Sequence, residues 1–481
     1  MREVSIDNLL DMVSKYDSAG VDMVREAFNL ASELHDGQYR QSGEPYIIHP
    51  LHVAYILADM HADVDTICAG LLHDTLEDTD ISKEDIIKLF NKDVAMLVDG
   101  VTKISKMNFS SKEEENMANT RKIITGITED VRIIIIKLSD RLHNMRTLEY
   151  KTPFKQKENA LETMDIFVPL AKDIGVYRIK SELEDISLKY LKPDKYKMLE
   201  DILDRNREEN ERVMREMLGD INDILNTNDI PHEIKTRTKN IYGIYKRMEE
   251  GRKISDIHDL LALKVMVDDV KNCYVTLGLI HSKYNPINDK FKDYICNPKT
   301  NLYQSLHTTV FGGGDKLVQA QVRTFDMDKI ASFGLTAYWE INKDDAMKKM
   351  QSDLKNKYQF FKSLTEMNAM FGDNKQFVNQ VKKELFHDNI YVYTSKGDII
   401  ELPKGATIID FAYRIHTDIG NLMVAAKVND EYITDLGYKL KNKDRVVVIT
   451  DDLSFGPRSS WEKMAKTSHA KKKIRDYWKK N

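Results

Sequence analysis

HDTLEDT (residues 73–79) sets His73 beside Asp74, with two further acids one helical turn later. Glu77 follows His73 by four residues and Asp78 follows Asp74 by four, and on a helix this spacing stacks side chains on one face. An adjacent imidazole and carboxylate are suitable ligands for a divalent cation. A lone His-Asp pair at a helix end is more often a capping or core pair, so a metal site needs further ligands from elsewhere in the chain.

Two other segments supply those ligands. His49 lies in RQSGEPYIIHP (40–50), and Asp140 lies in KLSDRLHNMRTL (137–148). Together with the pair at 73–74 they bring two imidazoles and two carboxylates from three helical segments. This mixed N/O ligand set favours Mn²⁺, Fe²⁺ or Zn²⁺ over a thiolate site. A metal ion beside two spare acids is what hydrolysis of a phosphate ester requires, because a free carboxylate accepts the proton of the attacking water.

Composition and charge describe an ordinary globular protein. The 481 residues are enough for about three domains. Hydrophobic residues make up 42% and the net charge is −5, so overall charge does not indicate a nucleic-acid-binding protein. Residues 461–481 are strongly basic, and a basic helix there either contacts RNA or the ribosome or is a solvated linker. The 3 scattered cysteines exclude a disulfide framework and a CxxC metal site.

The sequence predicts a cytoplasmic protein. Its start, MREVSIDNLLDMV (1–13), lacks the long apolar core of a signal peptide. The longest aliphatic run, at residues 131–138, is too short to span a bilayer.

The pattern of apolar residues, β-rich runs and turn residues along the chain predicts a multidomain α+β protein. Residues 1–190 have the apolar spacing of helices, and within them 131–140 is either a β-branched strand or a wholly buried helix, of which we favour the helix. Residues 231–345 mix β-rich runs with turns, which predicts a mixed sheet with flanking helices. Residues 386–452 alternate strands, turns and a helix as in a β-grasp unit. Helical linkers and a final basic helical region are predicted at 191–230, 346–385 and 453–481.

These blocks, in this order, resemble the long RelA/SpoT-type enzymes, which hydrolyse and synthesise the alarmone (p)ppGpp in the stringent response. The resemblance covers essentially the whole chain. It implies an all-α HD hydrolase domain, a mixed α/β, nucleotidyltransferase-like synthetase domain and a β-grasp TGS domain. The implied hydrolase reaction removes the 3′-pyrophosphate and returns GDP or GTP. The implied roles are Mn²⁺ binding by His49, His73, Asp74 and Asp140, water activation by Glu77 and Asp78, and nucleotide binding by Arg40 and Asn144.

The second domain resembles the family's synthetase, which transfers pyrophosphate from ATP to the 3′-hydroxyl of GDP or GTP. Its run EIKTRTKNIYGIYKRM (233–248) is by itself only a basic helix, but several cations are useful where charge builds on a transferring phosphoryl group. The resemblance implies ATP-phosphate contacts from Arg237, Lys239, Lys246 and Arg247. It also implies an Mg²⁺ ligand in Asp259, and GDP or GTP contacts from Lys292, Asn301, Tyr303 and His307.

The chain departs from the family pattern in the strand LVQAQVRT (317–324). Gln319 stands where the family has a Glu that completes the Mg²⁺ site, and an amide carries no charge and is a very poor base. Lys264 stands where an Arg is usual, which loses bidentate contacts. Tyr338 replaces a His, and residues 301–303 read Asn-Leu-Tyr rather than Asn-Gly-Tyr. These changes around one site predict weak or absent synthesis.

The third domain resembles TGS through KGDIIELPKGATIIDFAYRIHTDIGN (396–421). In long family members the residue matching His416 contacts the CCA end of deacylated tRNA on the ribosome, whereas a His in such a loop is more often a surface or capping residue. The basic segment that follows resembles the start of the family's next helical region.

The sequence favours a Mn²⁺-dependent (p)ppGpp hydrolase with a degenerate synthetase domain. Three alternatives stay open. The first is a fully bifunctional enzyme in which Mg²⁺ serves synthesis. The second is a starvation sensor that binds tRNA and the ribosome and has only vestigial catalysis. The third is a generic HD nucleotidase that acts on dGTP or cyclic nucleotides.

Overall fold

A computed structural model of the chain describes residues 4–102, 111–257, 259–299, 303–334, 359–386 and 389–480. The chain separates into two compact units, one of residues 1–107 with 129–354 and the other of residues 108–128 with 355–481. Among the described residues, no helix combines the length and the apolar character needed to cross a membrane.

The N-terminal part of the first unit is helical, as predicted. Several helix starts are fixed by side chains that accept a backbone N–H of the first turn, among them Ser5, Asp63 and Asn91. The first twelve helices are α1 (Ile6–Ser14), α2 (Val21–Leu34), α3 (Ile48–Asp59), α4 (Val64–Leu72), α5 (Thr75–Asp78), α6 (Lys83–Leu89), α7 (Lys92–Val101), α8 (Lys112–Glu129), α9 (Val131–Arg146), α10 (Pro153–Glu162), α11 (Val168–Asp173) and α12 (Tyr177–Leu191). Of these, α8 lies mainly in the second unit.

The aliphatic run at 131–138 is a buried helix, so the prediction that favoured a helix over a strand is confirmed. Asp130 caps α9 by accepting from the backbone N–H of Arg132, and it also pairs with that guanidinium. Four consecutive isoleucines, Ile133 to Ile136, have no exposed surface because α3, α7 and α12 pack around α9. Tertiary packing therefore outweighs the β-propensity of these residues.

The charged segment that follows forms two helices, α13 (Pro193–Arg205) and α14 (Arg207–Thr227). The sequence predicts a connecting helix with little core of its own, and for α14 this is wrong. A narrow apolar stripe on an otherwise charged helix packs into the core beneath the sheet of the first unit. The stripe consists of Val213, Met217, Ile221 and Leu225.

A five-stranded mixed sheet follows, as predicted for 231–345. The strand order is β1-β2-β5-β4-β3, in which β2 and β5 are parallel and the other neighbours are antiparallel. Alternate residues of the central strands enter the core with α14, and the residues between them form a second, polar face. The elements are β1 (His232–Thr238), α15 (Ile241–Glu249), β2 (Leu261–Val267), α16 (Val270–Lys283), β3 (Lys292–Asp293), β4 (Leu306–Phe311), β5 (Leu317–Thr324) and α17 (Phe325–Phe333).

The second unit joins helices to small sheets. An antiparallel pair, β6 and β7, and a three-stranded sheet of order β10-β8-β9 enclose the helix α20, as predicted for a β-grasp unit. The elements after residue 358 are α18 (Gln359–Met370), α19 (Asn374–Glu384), β6 (Asn389–Tyr393), β7 (Ile399–Pro403), α20 (Ile408–Ile415), α21 (Thr417–Leu422), β8 (Met423–Val428), β9 (Glu431–Ile433), β10 (Val446–Thr450), α22 (Trp461–Met464) and α23 (Ser468–Lys480).

The basic C-terminal segment is helical, as predicted, and one side of it belongs to the core of the second unit. Trp461 and Ile474 pack with the apolar residues of α20 and the strands. Asp410 of α20 is 1% exposed and accepts from the backbone N–H groups of Lys466 and Thr467. These contacts hold α22 and α23 against the β-grasp core, so the segment is not simply a solvated linker.

Candidate active sites

The four predicted metal ligands converge in the first unit. His49 is the second residue of α3, His73 and Asp74 form the turn between α4 and α5, and Asp140 lies on α9. His49 Nε2 lies 3.3 Å from Asp140 Oδ1, and His73 Nε2 lies 3.1 Å from Asp74 Oδ2. The cross distances, from His49 to Asp74 and from His73 to Asp140, are 3.8 Å and 3.9 Å. Ligand atoms of His49, His73 and Asp140 lie within 4.8 Å of one another.

The helix assumed at 73–79 is interrupted, which corrects one detail of the sequence reasoning. α4 ends at Leu72 and α5 begins at Thr75, and the Thr75 hydroxyl donates to the Leu72 carbonyl oxygen at 2.7 Å. The backbone nevertheless stays close to helical at His73 and Asp74, and the Asp78 N–H donates to the Asp74 carbonyl oxygen at 2.9 Å. The four-residue relation between Asp74 and Asp78 therefore survives the break.

The tautomer of His73 indicates that a cation belongs in this cage. His73 Nδ1 lies 2.8 Å from the carbonyl oxygen of Gly70, and because a carbonyl only accepts, Nδ1 carries a proton. His73 Nε2 is buried and has no hydrogen-bond partner, although it faces carboxylate oxygens of Asp74 and Asp140. Two largely buried carboxylates around this nitrogen require a cation among them. That cation is either a proton on Nε2, since burial lowers the pKa of His73 but Asp74 and Asp140 raise it above its usual value, or a metal ion that replaces this proton. The residues therefore fit a divalent metal ion.

The carboxylates of the cage are held ionised by neighbouring groups. Burial raises the pKa of Asp140, but Lys137, whose Nζ lies 3.0 Å from Oδ2, outweighs it together with His49 and His73, so the pKa falls well below its usual value. Burial likewise opposes ionisation of Asp74, and its pKa is lowered by the positive charge that His73, and to a smaller extent His49, carries when no metal ion occupies the cage. Lys137 precedes Asp140 by three residues, a spacing from which this contact was predictable on a helix, but the sequence analysis missed it.

Of the predicted water-activating acids, Asp78 is linked to the cage through Tyr46. The Tyr46 hydroxyl lies 2.7 Å from Asp74 Oδ2 and 3.3 Å from Asp78 Oδ2. Burial raises the pKa of Asp78, and the negative charges of Asp74 and Glu77 add to this effect. A higher pKa makes Asp78 a better proton acceptor than an ordinary surface aspartate. Tyr46 lies within the quoted RQSGEPYIIHP motif, and its role there is visible only after folding.

The predicted nucleotide-binding pair also lies beside the cage. Arg40 Nη2 donates to Asn144 Oδ1 at 2.6 Å, and Asn144 Nδ2 donates to Asp140 Oδ1 at 2.5 Å. Arg40 Nη1 lies 3.2 Å from Nδ1 of His143, a buried histidine that the sequence analysis did not single out. Arg40 and Asn144 therefore contact the residues that surround the metal position.

The polar face of the mixed sheet gathers several predicted synthetase-site residues into one row. In the strand register Lys264 of β2 lies opposite Lys235 of β1 and Gln321 of β5, and His307 of β4 lies opposite Gln321 and Lys292 of β3. Burial, with the nearby Arg323, lowers the pKa of Lys264 to about 8. The row carries lysines at both ends, Lys235 and Lys292, and a third at Lys264 next to Lys235, which suits an anionic ligand.

Gln319 lies on the same face of β5, two residues before Gln321. In the strand register it is opposite Ala262 of β2, and Ala262 is in turn opposite Arg237 of β1. Its Oε1 accepts from Gln321 Nε2 at 2.7 Å. Asp259, the predicted Mg²⁺ ligand, pairs with Lys239 at 2.5 Å. Burial opposes its ionisation, but Lys239 lowers the pKa of Asp259 below the usual value, with help from Arg247.

The remaining residues predicted for the synthetase site differ in their surroundings, and two of them lie outside the described residues. Tyr303 Oη lies 2.8 Å from His307 Nε2, and Lys299 Nζ lies 4.9 Å from the centre of the Tyr303 ring. Burial, with Lys299, lowers the pKa of His307 to about 3, so its ring is neutral. Lys246 is exposed on α15. Asn301 and Tyr338 lie outside the described residues.

His416 caps a helix in the second unit. It is the N-cap residue of α21, where its Nδ1 accepts from the backbone N–H of Asp418 at 3.3 Å. The side chain is 64% exposed. The capping function that a histidine in this loop often has is therefore present, and the exposed ring remains accessible.

Three protein families match successive parts of the chain. Residues 27–177 match the HD domain, residues 236–346 match the region found in RelA/SpoT proteins, and residues 390–450 match the TGS domain. The order is the one that the resemblance implies.

Two curated relatives are similar over nearly the whole chain. A GTP pyrophosphokinase of Myxococcus xanthus is 41% identical over 95% of this chain and 60% of its own length. A guanosine-3′,5′-bis(diphosphate) 3′-pyrophosphohydrolase of Aquifex aeolicus is 41% identical over 99% of this chain and 68% of its own. The chain thus spans between 60% and 68% of the length of these relatives.

A solved structure, that of a metazoan ortholog of SpoT, matches a smaller part. It is 27% identical and covers 36% of this chain and 87% of its own, with a TM-score of 0.26. The family assignment rests on the three domain matches and on the full-length relatives. The chain belongs to the RelA/SpoT family.

Proposed function

We propose that this chain hydrolyses (p)ppGpp to GDP or GTP and pyrophosphate, with a divalent metal ion held by His49, His73, Asp74 and Asp140. The observation that carries the proposal is the convergence of His49 and His73 on two largely buried carboxylates, with ligand atoms of His49, His73 and Asp140 within 4.8 Å of one another. Close relatives named as 3′-pyrophosphohydrolases support the substrate. Mn²⁺ is the ion we expect because the family resemblance implies it, and the ligand set of two imidazoles with two carboxylates fits it as one of Mn²⁺, Fe²⁺ and Zn²⁺.

The residues of the site divide the work of hydrolysis. Such an ion, when bound, polarises the phosphoryl group and activates water for attack. Asp78, aided by Glu77, accepts the proton of the attacking water, because its raised pKa makes it a stronger base than an ordinary surface aspartate. The Tyr46 hydroxyl donates its one hydrogen to Asp74 at 2.7 Å and lies 3.3 Å from Asp78, so it is placed between the two acids. Arg40 and Asn144 orient the nucleotide at the edge of the cage.

Removal of the metal tests this proposal. The 481-residue chain, treated with EDTA and desalted, is expected to release no pyrophosphate from ppGpp above background, and added Mn²⁺ is expected to restore the release. The readout is pyrophosphate together with GDP, since cleavage at the 3′ position gives both.

A matched substrate series separates this function from a generic nucleotidase. Under the same conditions dGTP and cyclic nucleotides are expected to remain intact. Unchanged ppGpp hydrolysis in the chelated protein, or equal turnover of dGTP, would contradict the proposal.

We further propose that synthesis from ATP and GDP or GTP is weak. The support is the uncharged Gln319 and the pairing of Asp259 with Lys239, which together leave little net negative charge for an Mg²⁺ ion. The relatives include enzymes named for either direction, so the bifunctional alternative is a real competitor. We also propose the domain division given by residues 1–190, 231–345 and 386–452.

A second candidate function is binding of deacylated tRNA on the ribosome through the TGS unit. The exposed ring of His416 favours it, as do the exposed Lys479 and Lys480 at the end of α23. His416→Ala is expected to weaken binding of deacylated tRNA to ribosome-bound protein by about tenfold, since base stacking on an aromatic ring contributes about 1–3 kcal/mol. Exposed Lys396→Ala is the control, and equal affinities of the His416 variant and wild type would remove this role.

A further inference from the structure

His143 lies directly behind the metal ligand His49. The two Nδ1 atoms are 2.7 Å apart, and Arg40 Nη1 lies 3.2 Å from the same Nδ1 of His143. His143 is 2% exposed, and its ring stacks on His52 with centroids 4.5 Å apart. Burial and stacking therefore fix the direction in which this nitrogen points.

The proton positions in this chain of contacts follow from chemistry. A guanidinium only donates, so His143 Nδ1 accepts from Arg40 and carries no proton. The proton between the two imidazoles must then belong to His49 Nδ1. A neutral imidazole has one N–H, so His49 Nε2 is left with a lone pair, and this atom faces Asp140 and Asp74.

Arg40 acts on the cage by a second route. It donates to Asn144, which donates to the Asp140 oxygen nearest to His49. One guanidinium thus orients groups behind two metal ligands. A tautomer fixed from behind raises metal affinity, because no free energy is spent on turning the ring or moving its proton.

We infer that His143 is a positioning residue that fixes the metal-binding tautomer of His49 by presenting an unprotonated Nδ1 held by Arg40. The inference rests on the proposed metal site and assigns His143 no contact with substrate. It predicts that tight metal binding requires a hydrogen-bond acceptor at position 143, and that an aromatic ring without an acceptor does not support it.

Two variants of the full-length chain separate the acceptor from the ring. His143→Phe keeps a flat ring against His52 and removes the acceptor, whereas His143→Asn keeps an acceptor oxygen near the position of Nδ1. Mn²⁺ affinity is measured without nucleotide, from the electron paramagnetic resonance signal of free Mn²⁺. The Phe variant is expected to bind about 10–100-fold more weakly than wild type, and the Asn variant within about threefold of it.

A metal-independent readout accompanies the titration. Imidazole ¹⁵N shifts of His49 in metal-free protein are expected to report a proton on Nδ1 in wild type and Asn variant, and a mixture of tautomers in the Phe variant. Equal Mn²⁺ affinity in wild type and Phe variant, equal loss in both variants, or an Nε2-protonated His49 in wild type would overturn the inference. Wild type that shows the expected tautomer and binds no Mn²⁺ would instead refute the proposed metal site.

Discussion

Asp74→Asn is expected to lower the turnover of ppGpp by about a thousandfold, equivalent to about 4 kcal/mol of lost transition-state stabilisation. Asp74 Oδ2 is the oxygen nearest to His73 Nε2, at 3.1 Å, and it also accepts from the Tyr46 hydroxyl at 2.7 Å. An asparagine has the same shape but no charge. Its amide group is also able to donate to the unpartnered His73 Nε2, which would satisfy the cage without any metal ion.

The measurement is pyrophosphate release from ppGpp at saturating Mn²⁺, together with Mn²⁺ affinity. Glu33→Gln removes one carboxylate from an exposed position on α2 of the same unit, so it serves as the matched control and is expected to behave as wild type. Turnover of ppGpp by Asp74→Asn at the wild-type rate would favour the alternative in which the chain is a sensor with vestigial catalysis.

The ligands of the cage were predictable because each lies in a short motif whose residue types already indicate metal chemistry. The groups that tune the ligands were harder to predict. Tyr46 contacts Asp74 from the segment before α3, and His143 of α9 contacts His49 of α3, so both contacts depend on how separate parts of the chain pack. Lys137 was the exception, since its three-residue spacing from Asp140 is local.

In the fold, too, the features set by neighbouring residues were predictable, whereas the packing between distant segments was not. The helices, the mixed sheet and the β-grasp unit follow from periodicity and turns, because these signals act within a few residues. The packing of α14 and of the C-terminal helices was not predicted. In both segments a charged surface dominates the composition, and only a narrow stripe, such as Met217 and Ile221 or Ala470 and Ile474, enters the core.

Gln319→Glu is expected to raise alarmone synthesis from ATP and GDP by at least about tenfold. The Gln319 amide accepts a neutral hydrogen bond from Gln321, while Arg237 lies in the same row of the sheet and Lys264 in the next row. A carboxylate in this place would be held ionised by those cations. It would give Mg²⁺ a second acidic ligand beside Asp259 and provide a base for the 3′-hydroxyl.

The assay is best performed in an Asp74→Asn background, because hydrolysis would otherwise remove the product as it forms. Gln321→Glu is the matched control, since it adds the same charge two residues along the same face of β5, opposite Lys264. If a carboxylate is needed specifically at position 319, only Gln319→Glu gains synthetase activity. If any added negative charge on this face of β5 is sufficient, both variants gain it. A chain with Gln319 that already synthesises alarmone as fast as the Glu variant would be bifunctional. In that case the second acidic ligand is dispensable, and Asp259 with the cations of the sheet face suffices for pyrophosphate transfer.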